Sequence, residues 1–166
     1  MRTAAALLYP DALATSVTLP MEILRAASQL ASVRRRDANP GHFQLLSTAG
    51  EGPVSFSSGL SLGTGGELRA APHLDLLILP AIWRSPNRTL RLCAPLLPEL
   101  RQRHEQGTLL CSVGTASYLL AEAGLLDGHS ATTHWNDFEP FSQRYPQVNL
   151  KRRHLITQSG NIFCVG

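Results

Sequence analysis

Apolar positions along the chain fall into short continuous runs separated by stretches with helical spacing. Residues 3–8 (Thr-Ala-Ala-Ala-Leu-Leu) form such a run, stopped by Tyr9, Pro10 and Asp11, and predict a first strand buried on both faces. Residues 15–33 predict a helix with Leu19, Ile23, Leu24, Ala27 and Leu30 on one core-facing stripe. Thr15, Ser16 or Thr18 would cap it, and Pro20 is tolerated if it falls in the first turn. Arg34 to Pro40 then reads as a solvated loop, and residues 42–47 as a second strand. Alternation through Val54, Ser55, Phe56 and Ser57, then Leu60 to Leu62, predicts a small antiparallel excursion. The glycines of residues 63–66 lack a following Lys-Ser/Thr or a helical pattern, so they predict a loop rather than a phosphate cradle.

Leu74 to Leu79 is the clearest core strand, ended by Pro80, and residues 81–87 follow it as a loop. Residues 89–104 are helical in pattern with Pro95 and Pro98 in their middle, which predicts a short helix or a break, then a helix from about Ala94 or Pro95. Residues 108–113 are a further buried strand, and residues 115–123 a helix closed by Gly124. A short helix over 136–144, capped by Asn136 or Asp137, precedes short strands over 148–150, 155–157 and 162–165. Strands alternating with helices predict an α/β sandwich with a mostly parallel sheet. The chain stops on Gly166 directly after a strand, which reads as part of something longer.

Composition narrows the class. The 166 residues suit one domain, and a formal charge of +3 is too weak to mark a nucleic-acid surface. The six small or apolar residues before Pro10 are too few for a signal-peptide core or a membrane span. Three cysteines (Cys93, Cys111, Cys164) without close spacing argue against a disulfide framework or a zinc site, so a reduced cytoplasmic setting is expected. The histidines at 42, 73, 104 and 129 share no ligand spacing, and neither a metal nor a cofactor is expected. The basic run Lys151-Arg152-Arg153-His154 reads as shielding of a sheet edge.

The chemistry turns on Gly114, where a strand, a one-residue corner and a helix meet. In α/β proteins such a corner commonly holds a nucleophile or a ligand. The block Leu120-Ala121-Glu122-Ala123-Gly124-Leu125-Leu126-Asp127-Gly128, followed by Ala131-Thr132-Thr133-His134-Trp135, resembles the amidase-like N-terminal domains of AraC-type transcriptional regulators, in the DJ-1/PfpI superfamily. Residues 20–24, 58–60, 75–80 and 144–146 carry further matches, so the resemblance spans essentially the whole chain. It implies a flavodoxin-like three-layer sandwich that senses a small-molecule effector and commonly forms a homodimer. DNA would be contacted through a C-terminal segment with two helix-turn-helix motifs, which nothing here resembles.

Enzymes of that superfamily place a reactive cysteine at the corner, with an acidic residue held against it. In this sequence those positions fall at Gly114 and Ser16, so both halves of the pair are missing. The resemblance therefore implies a non-catalytic domain. The alternative, a cysteine-dependent amidase or hydratase, needs Cys111, Cys93 or Cys164 to be exposed and acidic. A purely structural dimerisation module is a third reading. The candidate ligand-binding residues are Gly114, with Thr115 and Ala116 whose amides start the helix, Trp83 on the loop after the core strand, and His134 and Trp135 of the matched block. Ser16 and Glu22 complete the set.

Overall fold

The computed structural model describes residues 3–34 and 41–166. Its main sheet has six strands in the order β2-β1-β5-β6-β10-β9, where β1 is Thr3–Leu8, β2 His42–Ser47, β5 Leu76–Leu79, β6 Leu109–Val113, β9 Ile156–Ser159 and β10 Ile162–Val165. The first five run parallel, and β9 closes the edge antiparallel to β10. The expected small excursion is β3 (Val54–Ser55) paired antiparallel with β4 (Ser61–Leu62). A second two-stranded pair, β7 (Ser130–Ala131) with β8 (Asn149–Leu150), has no counterpart in the sequence reading at β7.

Among the described residues five α-helices accompany the sheet: α1 Thr15–Arg34, α2 Asn87–Cys93, α3 Leu97–Glu105, α4 Ser117–Glu122 and α5 Phe138–Arg144. The proline-rich middle breaks as predicted, but the second helix starts at Leu97 rather than at Ala94 or Pro95. Pro95 lies in a 3-10 turn, Ala94–Leu96, that splits α2 from α3, and Pro98 opens α3, where a missing N–H costs nothing. Pro20 lies deeper in α1 than expected, beyond the first turn, so the carbonyl of Ser16 loses its helical donor. The solvated loop predicted after Arg34 lies, over residues 35–40, outside the described residues.

Right-handed crossovers decide which face each helix covers. The β1–β2 connection steps one way and the β5–β6 and β6–β10 connections the other, so α1 lies on one face and α2 to α5 on the opposite one. On the face of α2 to α5, Leu7, Leu46, Leu77, Leu79, Leu110 and Cys164 are all buried. On the other face α1 buries Ala4, Ala6 and Leu8, but beyond it the sheet is partly open. There Cys111, Val113, Phe163 and Val165 are half-buried, and Leu109 and Ile156 are exposed.

The core-facing stripe predicted for α1 needs correction. Val17 is the buried residue of the helix, and Met21, Leu24 and Ser28 are half-buried toward the sheet. Leu19, Ile23, Ala27 and Leu30 are exposed instead. Small β1 side chains, Ala4 and Ala6, offer α1 a shallow bed, so one narrow row of the helix fills it. The basic run near the C-terminus lies at the turn before β9, where Arg152 pairs with Glu139 at 3.0 Å.

Candidate functional site

The C-terminal ends of β1, β5 and β6 meet at the corner that the sequence singled out. β6 ends at Val113, Gly114 takes a left-handed φ of 52°, and a 3-10 turn, Gly114–Ala116, leads into α4. That backbone is easy for glycine and strained for any other residue. The space above it is nevertheless open. A Cβ built on Gly114 would lie 3.5 Å from the Cβ of Ala81 and 3.9 Å from that of His134, both ordinary contacts.

Side-chain hydrogen bonds hold this corner from three sides. The Thr115 hydroxyl accepts from the Ile82 amide at 2.9 Å and donates to the Ile82 carbonyl at 2.7 Å, fixing the loop after β5 against the turn. Ser16 does the same for α1. Its hydroxyl donates to the Leu13 carbonyl at 2.7 Å and accepts from the Ala81 amide at 3.0 Å. Thr133 donates to the Gly114 carbonyl at 3.3 Å, which docks the Thr-Thr-His segment. Below these, the buried Tyr9 hydroxyl donates to the Pro80 carbonyl. Burial, followed by the neighbouring Cys93, pushes that phenol well above its ordinary range. Thr115 and Ser16 therefore spend their hydroxyls on structure.

The result is a cleft of about 430 Å³. Leu13, Ala81 and Ile82 form its apolar wall, Gly114 and Thr115 its floor, and Trp83, Arg84 and Ser85 one rim. His134, Asn136 and Asp137 form the opposite rim. Trp83, Gly114, Thr115 and His134 are thus brought together as expected. Ala116 is buried beneath the turn, and Trp135 is exposed, tilted against the His134 ring with centroids 5.4 Å apart. Neither these two nor Ser16 lines the cleft. Glu22 lies elsewhere, in a groove between α1 and β2 with Met21, Phe43 and Leu62. Its position two turns into α1 carries it past the corner.

Sequence reasoning missed Arg84 and Asp137. Arg84 holds a left-handed φ of 66°, which for a non-glycine residue costs on the order of 1 kcal/mol and turns up most often at functional sites. It also borders a polar extension of the cleft, where Asp11 and Arg88 pair at 3.4 Å. Asp137 accepts from the Tyr118 hydroxyl at 3.4 Å and lies 3.9 Å from the His134 Nδ1. Burial, with Asp137 beside it, pushes the Tyr118 phenol up to about 12. Asp137 takes the N-cap position of α5 as expected but makes no side-chain cap bond, while His134 caps the 3-10 turn Trp135–Asp137 ahead of it, its Nδ1 accepting from the Asn136 amide at 3.4 Å.

The thiols lie away from this chemistry. Burial raises Cys111 to about 11, with a smaller contribution from Cys164, and raises Cys93 to about 12. Burial likewise raises Cys164. None of the three lines the cleft. Among the described residues no group of three or more His, Cys, Asp or Glu side chains is placed to hold a metal ion. No described helix is long and apolar enough to cross a membrane.

Comparison with solved structures decides the fold. A ThiJ/PfpI family protein from Pseudomonas syringae superposes with a TM-score of 0.76 over 99% of this chain and 62% of its own, at 19% identity. The chain has the DJ-1/ThiJ/PfpI fold. In sequence it is similar to the HTH-type transcriptional regulator CdhR of Pseudomonas aeruginosa, with 36% identity over 131 residues. That match covers 78% of this chain and 38% of the regulator, so the chain spans about two fifths of the length of such a relative. An isonitrile hydratase from Pseudomonas putida is 33% identical over 116 residues, covering 69% of this chain and 48% of the enzyme. No protein-family model matches the chain. Transcriptional regulators with an HTH designation and one enzyme thus share this DJ-1-type fold segment.

Proposed function

We propose that the chain is a non-catalytic, ligand-sensing domain of an AraC-type transcriptional regulator, working in the cytoplasm as a homodimer. Its effector is a small polar metabolite held in the cleft between Trp83, Arg84, His134 and Asp137. DNA is contacted by a separate helix-turn-helix segment of the kind that the HTH designation of its relatives names. The observation that carries the reading is the glycine at the corner. Gly114 keeps the left-handed corner and an open space above it, while every thiol lies outside the cleft and holds its proton at neutral pH.

A cleft of about 430 Å³ is within the range that takes small molecules. A ligand present at 100 times its Kd stabilises the folded chain by about 2.7 kcal/mol. For a domain of this size that raises the melting temperature by about 5–10 °C. A panel of small amines, amides and carboxylic acids screened by melting shift tests the reading, and a panel without a single shift above about 1 °C removes its support.

The isonitrile hydratase relative favours a second reading, thiol-dependent hydration. It requires one cysteine to react rapidly with a thiol reagent near pH 6. Three slow thiols exclude it.

A further inference from the structure

The loops after β1 and β5 are tied edge to edge. Ala12 and Ile82 form an isolated antiparallel bridge, and the Trp83 amide donates to the Asp11 carbonyl at 2.6 Å. From that bridge the chain must reverse before α2 begins at Asn87, and Arg84 makes the reversal with its φ of 66°. Among the described residues it is the one non-glycine residue with a positive φ. Glycine takes that conformation without strain. An arginine kept where glycine would serve the turn better points to a use for its side chain.

The surroundings of Arg84 indicate that use. With Trp83 and Ser85 it lines both the cleft and a side chamber of about 440 Å³, whose remaining walls are Asp11, Ser57 and Arg88. The turn after β3 brings Ser57 there, its amide donating to the Pro10 carbonyl at 3.2 Å. Two guanidiniums and one carboxylate therefore share the chamber. Arg88 pairs with Asp11 at 3.4 Å, whereas among the described residues no carboxylate pairs with Arg84. One positive charge is left over. The far rim of the cleft has the opposite sign, since Asp137 stands there beside His134. A ligand lying across both spaces meets a field of fixed direction, positive at Arg84 and negative at Asp137.

We infer that the side chamber is a carboxylate subsite. The effector's carboxylate lies against the Arg84 guanidinium, and its body lies on the wall of Leu13, Ala81 and Ile82. The planar guanidinium fork matches a carboxylate with two parallel N–H donors, which a point charge would not do. A single surplus charge suits a monoanion, because a phosphoryl group would bring a second negative charge against Asp11. Ser85 accepts from the Asn87 amide at 3.4 Å, so its own proton stays available to a ligand oxygen. The inference rests on the sensing cleft of the proposed function and names the chemical class held there. It does not depend on the homodimer.

Melting curves and calorimetry of the 166-residue chain with sodium butyrate, butyramide and n-butylamine test it, because the three probes share a length and differ at one end. A fragment of about six non-hydrogen atoms binds in the millimolar range. At about 50 mM, against equal sodium chloride, butyrate is expected to raise the melting temperature by about 3 °C or more, and the amide and amine by less than about 1 °C. Arg84→Gly removes the guanidinium and relieves the turn. It is expected to hold the free chain's melting temperature within about 2 °C and to weaken butyrate at least about 10-fold. A purely structural Arg84 would do the reverse, lowering the melting temperature and leaving butyrate binding alone. Asp11→Asn fixes the sign of the site: losing the competing carboxylate tightens butyrate about 5-fold, whereas a site for a cation would weaken. A butyrate shift that survives Arg84→Gly overturns the inference. So does weaker butyrate binding in Asp11→Asn, and so does a shift by inorganic phosphate larger than that by butyrate. Stabilisation by butyramide or butylamine without butyrate also overturns it while leaving the sensing cleft standing, so the subsite and the cleft fail separately.

Discussion

Replacing Gly114 by alanine separates the backbone's demand from the space around it. At φ 52° an L residue pays roughly 1–2 kcal/mol for the left-handed conformation. The added Cβ contributes no clash, since its nearest neighbours would be Ala81 at 3.5 Å and His134 at 3.9 Å. Alanine also narrows the unfolded ensemble, offsetting about 0.4–1 kcal/mol of that cost. The net loss is about 1 kcal/mol, read as a fall of about 2–4 °C in melting temperature or as a shift in urea midpoint at unchanged m-value. Gly114→Cys carries the same backbone cost and puts a thiol into the cleft beside His134. It is expected to react with a thiol reagent at pH 7 well before the three native cysteines do. A loss above about 4 kcal/mol from Gly114→Ala would mean that the corner is closed. It would refute the description of the site as a nucleophile turn without its nucleophile.

Three other outcomes follow from the same contacts. Arg103 is buried, with Nε on Glu99 at 2.7 Å and its terminal nitrogens donating to the carbonyls of Leu68, Ala71 and Pro72 at 2.8–3.0 Å. Arg103→Met strands those acceptors and is expected to cost about 3–5 kcal/mol in urea denaturation; a loss below about 1 kcal/mol would contradict the clamp. Thr115→Val leaves the Ile82 amide and carbonyl unpaired and should cost about 2 kcal/mol. It should also speed amide exchange at Ile82 and Trp83, and unchanged exchange would show that another contact holds the loop. Stability should hold steady up to about pH 9, since Cys93 and Cys111 are raised in the fold from an ordinary value of 9.0 to about 12 and about 11. Between pH 9 and 11 the unfolded chain loses those protons first, so stability falls by about 1.4 kcal/mol per pH unit for each thiol. A Cys93→Ala, Cys111→Ala variant should show a shallower fall between pH 9 and 10, the remainder coming from Cys164 and, above pH 10, from the buried Tyr9 and Tyr118 phenols.

The strands were legible because a parallel sheet buries both faces, so Leu74 to Leu79 and the first six-residue strand stand out as continuous apolar runs. The corner was legible for a related reason: a glycine directly between an apolar run and a helical period marks a sharp turn. Periodicity could not say which neighbour a helix face meets. Both apolar sides of α1 satisfy the helical period, and the outer one, with Leu19, Ile23 and Leu30, was assigned to the core. The cleft was half legible for want of long-range information. Arg84 has no local signal for its left-handed φ, and the bond between Thr115 and Ile82 joins residues 33 apart in sequence. Asp137 is both the N-cap residue of α5 and part of the cleft rim, and its local sequence signals only the first of these.

The most direct test of the account follows one effector through both of its claims. A metabolite found by melting shift is titrated by calorimetry into the wild-type chain and the Trp83→Ala variant, and the mixture is then held for a day and assayed by mass spectrometry. The account predicts a single site per chain, affinity lowered at least 10-fold by Trp83→Ala, and the metabolite recovered unchanged. Conversion of that metabolite by the wild-type chain, abolished by removing one of the native cysteines, would contradict it.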